Sequence, residues 1–296
     1  MYAMDSRNQM LCGYYAFEEY IFPRECLRLM SKNCGKDGLL SICTPTSANM
    51  TIPSFSLFYI IAAYEHMKYS NNIGFMEELY DRLDQIMKVF LAQMQDGLVM
   101  SFEDKVHWNF YEWADDLDGH GKSSGGFECV LNCLVSLALD RLYKIGLAVN
   151  KNVDYNEKRD VLNKNIKDKF YNKKTRLFVN RIGEEAYSEL SNSLAVVAGA
   201  ANVEDAEYIA GILSNENSLT KISLSMVCFK YDALMMSGDY RDFIISDIEK
   251  KYSRMLSEGA TSFWETEKGD TDFGNAGSLC HGWSAIPIYY LSELLQ

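Results

Sequence analysis

Three short stretches carry residues that could do acid–base chemistry on a neutral ligand. In "GATSFWETEKGD" (259–270) Glu265 follows Phe263 and Trp264, and in "SLCHGWSA" (278–285) His281 stands close to Trp283. In "HWNFYEWADDLDG" (107–119) Trp108 and Trp113 flank Glu112, and Asp115, Asp116 and Asp118 run on into the glycine-rich "GHGKSSGG". Cleaving a glycosidic bond takes two carboxyl groups, one donating a proton and one activating water or attacking the sugar. Indole rings beside such groups exclude water and give a flat stacking surface. A histidine offers two ring nitrogens to a pair of hydroxyls. Each stretch also has a plain structural reading: packed aromatics at a helix start, a satisfied core histidine, a solvated acidic loop. Magnesium ligation by the acids of 115–118, as in terpenoid chemistry, is disfavoured because such acids project from a helix face.

Composition narrows the partners. The 296 residues carry 41 Asp+Glu against 29 Lys+Arg, a net charge of −12, and no basic stripe. Nucleic-acid phosphates and anionic membrane surfaces are therefore poor partners, whereas a neutral sugar is compatible. The longest apolar run, "FSLFYIIAAY" (55–64), is too short to span a bilayer. The N-terminal "MYAMDSRNQM" lacks the basic and apolar regions of a secretory signal. The eight cysteines have no paired spacing for zinc or a disulfide framework, so free, mostly buried thiols and a cytoplasmic location are expected. No metal or organic cofactor is expected.

The elements that must position these residues read as helices of two kinds. Segments 52–67, 125–143, 191–201, 223–236 and 277–295 are apolar around most of their circumference, which predicts burial on most sides. Between them, 74–94, 160–171, 203–214 and 239–256 are charged and one-faced; Met76, Leu79, Leu83, Ile86, Met87, Phe90 and Met94 recur at helical spacing. Short turns such as "SNN" and "SGD" join them. Alternating buried and half-buried helices predict an all-α, two-layered α/α barrel of helical hairpins in a single domain, 1–296. About nine helices are legible, fewer than a closed six-hairpin barrel has, and "TRLFVNRIG" (175–183) reads as a small strand excursion. A fixed repeat, which a solenoid would show, is not apparent.

The pieces together resemble one family. "GATSFWE" followed by "SLCHGWSA" is similar to the end of the catalytic barrel in α-L-rhamnosidases of glycoside hydrolase family 78. "MDSRNQMLCGYYAF" (4–17) resembles a stretch that in some members follows a "CPWREQ"-type motif. "IPSFSLFYIIAAYEH", "ELSNSLAVVAGAA" and "SLSMVCFKYDAL" fall in the family's order and spacing, so the resemblance covers essentially the whole chain. It implies a six-hairpin (α/α)6 barrel and inverting hydrolysis of terminal α-L-rhamnosides. Position by position, Glu265 matches the general base, His281 a histidine contacting sugar hydroxyls, and Asp5 an acid that binds the rhamnose. Tyr2 takes an aromatic place, Trp113 and Trp108 match pocket walls, and Trp264 and Glu112 are expected beside them. The family's acid and base stand roughly 6.5–9.5 Å apart to admit a water. Its general-acid Glu lies seven positions before the residue matched by Asp5, a place that falls before Met1. The expectation is therefore a partial barrel with impaired turnover, or else a sugar-binding or assembly remnant. The implied partner is a carbohydrate, with a homo-oligomer possible. An enzyme acting on uronides would need a base for the carboxylate, and these motifs offer only Arg7.

Overall fold

The computed structural model describes residues 1–119, 126–151 and 153–295; the stretch 120–125 of the glycine-rich loop, residue 152 and the C-terminal residue lie outside it. Eleven α-helices are present among the described residues: α1 (Ala3–Phe17), α2 (Ile21–Ser31), α3 (Pro53–Ser70), α4 (Ile73–Ala92), α5 (Cys129–Ala148), α6 (Tyr155–Phe170), α7 (Glu189–Val197), α8 (Val203–Leu213), α9 (Val227–Ser237), α10 (Arg241–Ser257) and α11 (Pro287–Leu294). Two antiparallel two-stranded hairpins accompany them, β1 (Met94–Gln95) with β2 (Leu98–Val99) and β3 (Tyr171–Asn172) with β4 (Leu177–Phe178).

The odd-numbered helices form the inner ring. α1 packs on α3, α3 on α5, α5 on α7 and α7 on α9, while α1 also packs on α11. The circle closes where the Tyr290 hydroxyl of α11 donates to the Cys228 carbonyl of α9 at 2.7 Å. In α3 every residue from Pro53 to Ala63 is buried, the texture expected of an inner helix. Outer helices bury one stripe: in α4, Met76, Leu79, Leu83, Ile86, Met87 and Phe90 are buried, while Met94 passes into β1 and is half-buried. The "SNN" turn works as its residue types suggest. Asn71 ends α3 in the left-handed region at φ 51°, and the Asn72 side chain caps α4 by accepting from the Phe75 N–H.

Two helices were not legible, and one segment was over-read. α1 is buried through Arg7, Asn8 and Ser6 as well as through apolar residues, so no periodic apolar face marks it. α2 carries Pro23 near its start and buries only Pro23, Cys26, Leu27 and Met30. The segment 277–295 is not one helix. His281 is extended (φ −137°), a 3-10 turn covers Gly282–Ala285, and α11 begins at Pro287. Proline supplies no N–H to continue a helix but is well placed at its first position.

The N-terminal ends of three inner helices, α3, α5 and α7, are braced by the side chain of their fourth residue. Asn132, fourth residue of α5, accepts from the Val99 N–H and donates to the Val99 carbonyl; Asn192, fourth residue of α7, does the same with Phe178. Ser56, fourth residue of α3, accepts from the Leu40 N–H. The starts of α3, α5 and α7 are thus tied to the segments before them, at the end of the barrel where the candidate residues gather.

Candidate active site

Glu265 and His281 are set against each other by backbone pairing. The Glu265 N–H donates to the Ser278 carbonyl (2.8 Å), and the His281 N–H to the Phe263 carbonyl (2.8 Å). The Ser278 N–H in turn donates to Glu265 Oε2 at 3.2 Å, and the Trp283 indole N–H to the Glu265 carbonyl at 2.9 Å. The His281 ring stacks on Trp283 with centroids 3.9 Å apart. From the first turn of α1, where the helix dipole favours a carboxylate, Asp5 Oδ1 shares a hydrogen bond with His281 Nε2 at 2.8 Å. His281 Nδ1 stands 3.8 Å from Glu265 Oε2. The imidazole therefore lies between two carboxylates, one bonded directly and one at the edge of contact. Glu265 Oε1 takes no protein hydrogen bond among the described residues, which leaves it open to a water.

These groups line a cavity of about 190 Å³ together with Tyr2, Trp108, Trp113 and an apolar set, Ile42, Ile52, Phe55, Phe110 and Trp283. Trp108 and Trp113 stand 6.0 Å apart between ring centroids, and Phe110 lies edge-on to Trp113 at 4.8 Å. Trp108 thus belongs to the wall, with its indole N–H bonded to the Asp118 carbonyl at 2.8 Å. Burial, then the neighbouring Cys43 and Asp5, push the Tyr2 phenol up, so it stays protonated at neutral pH. Of the residues singled out in the sequence, the structure brings Tyr2, Asp5, Trp108, Trp113, Glu265 and His281 together.

The structure does not bring Trp264 and Glu112 into this cavity. Glu265 lines the cavity, but its sequence neighbours Phe263 and Trp264 do not. Trp264 is turned away from the Glu265 cavity and buried beneath Gly269, where an added Cβ would come within 2.6 Å of the indole. Gly269 sits at φ +60°, a conformation open to glycine, and Arg254 covers the same ring at 5.4 Å. Glu112 is fully buried and points out of the cavity set; its Oε2 accepts from the Ser223 N–H at 2.7 Å. The apolar members were missed. Ile42, Ile52, Phe55 and Phe110 have no feature in the sequence that separates a pocket wall from core, whereas Trp283, two residues after His281, carried a usable signal.

The sequence profile of the bacterial α-L-rhamnosidase six-hairpin glycosidase domain matches residues 1–295. The chain belongs to this family. Solved structures agree with that assignment. The chain is 25% identical to a family 78 rhamnosidase of Bacillus sp. GL1, covering 99% of this chain and 31% of that one with a TM-score of 0.88. A rhamnosidase from Klebsiella oxytoca with rhamnose bound is 19% identical, with 100% and 58% covered and a TM-score of 0.84. An α-L-rhamnosidase from Dictyoglumus thermophilum is 18% identical, with 99% and 33% covered and a TM-score of 0.80. The rhamnosidase-family barrel thus spans about a third of the first and third of these chains and just over half of the second. No curated protein matches the chain. The barrel is a glycoside hydrolase domain of six inner and five outer helices among its described residues. Among the described residues no helix is long and apolar enough to cross a membrane, and no group of His, Cys, Asp and Glu is arranged to hold a metal ion.

Proposed function

We propose that this domain binds the terminal α-L-rhamnose of a rhamnoside and hydrolyses its glycosidic bond with inversion, Glu265 activating the water. The observation that carries the reading is the imidazole of His281 held between the Asp5 and Glu265 carboxylates on one side of an otherwise aromatic and aliphatic cavity. A 6-deoxy sugar matches that asymmetry. Its hydroxyls meet Asp5, Glu265 and His281, and its methyl group and ring face meet Ile42, Ile52, Phe55 and the indoles. The volume, about 190 Å³, is below the ~300–1,000 Å³ of drug-sized sites and suits a single sugar ring. Asp5 and His281 hold hydroxyls, and the hydrogen bond between them fixes the ring orientation. Glu265, its Oε2 anchored by the Ser278 N–H, presents Oε1 to the attacking water. The proton for the departing alcohol is not assigned to a residue of this chain.

The relatives' names support rhamnose as the sugar, since a bound rhamnose is recorded for the Klebsiella oxytoca protein. A uronide is disfavoured because Arg7, the base that could have bound its carboxylate, is buried and paired in a fork with Glu65. Proton NMR during hydrolysis of 2,4-dinitrophenyl α-L-rhamnoside tests the reading, because that leaving group departs without a proton. Inversion yields β-L-rhamnose first. The α anomer appearing first would contradict the mechanism, and rhamnose binding without turnover would leave a sugar-binding domain.

A further inference from the structure

Glu112 lies next in sequence to the cavity wall but outside it, and its surroundings are unusual for an acid. The carboxyl is fully buried, its Oε2 accepts from the Ser223 N–H at 2.7 Å, and Oε1 has no partner among the described residues. That bond joins the 107–119 loop to the segment leading into α9. The loop supplies Trp108, Phe110 and Trp113 to the cavity. Its other anchors reach elsewhere. The Trp108 N–H donates to the Thr51 carbonyl (2.8 Å) and Ser54 Oγ to the Phe110 carbonyl (2.6 Å), both at the start of α3. The Tyr111 hydroxyl donates to Glu128 Oε2 (2.5 Å), just before α5. Glu112 is the anchor that reaches across to α9.

We propose that Glu112 is the positioning residue of the indole wall, its bond to Ser223 holding Trp113 in the orientation that receives the sugar. This rests on the sugar-binding reading of the cavity. A buried carboxylate needs a cation or several donors. The charged group facing Glu112 is the Glu189 carboxylate of α7, already engaged by Lys221, Lys230 and the Ile222 N–H. Burial pushes Glu112 up to about 8; the Ser223 hydrogen bond opposes the rise and Glu189 adds to it. At neutral pH the anchor is the neutral acid. Ionisation places a charge in a dry site beside another carboxylate and releases the loop.

The test follows tryptophan emission and L-rhamnose calorimetry of the full chain across pH 8. Wild type should show an emission transition with a midpoint of about 8, and its rhamnose affinity should fall through the same midpoint. Glu112→Gln keeps a neutral acceptor for the Ser223 N–H, so both signals should become flat while binding at neutral pH is retained. Glu112→Ala should weaken rhamnose binding about tenfold at neutral pH, the scale of a lost buried partner; if it fails to fold, the Gln comparison decides alone. A transition that persists in Glu112→Gln, or wild-type affinity in a folded Glu112→Ala, would overturn the proposal. If wild type binds no rhamnose, the sugar reading fails, and the emission transition still decides whether Glu112 holds the wall.

Discussion

Glu265, His281 and Asp5 acquire their arrangement from backbone pairing and one helix turn. Two of the three were readable from local composition, and Asp5 entered through family resemblance. Trp264 shows the limit of adjacency: next in sequence to a catalytic candidate, it is buried under Gly269 and not in the cavity. Glu112 shows a second limit, since burial decides whether a carboxyl is a ligand or an anchor, and burial is a tertiary property. It also has a consequence for stability. Its folded value of about 8 lies above the ~4.3 of an unfolded Glu. On raising the pH the unfolded chain therefore loses the proton first. The stabilisation is fully present below the unfolded value and is lost as pH rises through about 8. Thermal melts should show Tm falling over that window in wild type, and Glu112→Gln should lack this component. Parallel Tm–pH curves for the two proteins would contradict it.

At the scale of elements, nine helices were legible: four from apolar residues at helical spacing and five from segments apolar around most of their circumference. α1 and α2 were not; in α1 the buried polar groups are satisfied by other elements, since Asn8 donates to the Ser225 and Trp283 carbonyls and Arg7 forks onto Glu65. Such residues read as surface in a sequence. The small strand excursion at 175–183 was legible, and β4 lies within it. Its mechanical role came only with the structure. Asn132 and Asn192 replace a strand neighbour for Val99 and Phe178 and are fully buried. Replacing either with Ala strands a backbone N–H and C=O in the interior, at about 1–3 kcal/mol per unsatisfied group. Urea unfolding should show a loss of that size for each variant. A change within about 0.5 kcal/mol, as at an ordinary surface site, would show that the excursions do not need the brace.

At the scale of the whole molecule, the alternation of buried and half-buried helices carried the two-layered barrel, and the closure of its inner ring did not show in the sequence. That closure depends on contacts between distant segments, α1 with α11 and α9 with α11. The same ring delivers Asp5, Phe55 and the 107–119 and 263–285 segments to one end, so the cavity is a product of the barrel and not of any single motif. An overall charge of −12 fits a neutral sugar as the occupant. The proposed hydrolysis depends on Glu265 as the base that activates the attacking water. The most direct measurement is hydrolysis of 2,4-dinitrophenyl α-L-rhamnoside by wild type and Glu265→Gln, with L-rhamnose affinity measured on both. If Glu265 is the base, Glu265→Gln loses about 10²–10⁴-fold in rate with rhamnose binding largely kept. Equal rates for the two proteins would contradict it.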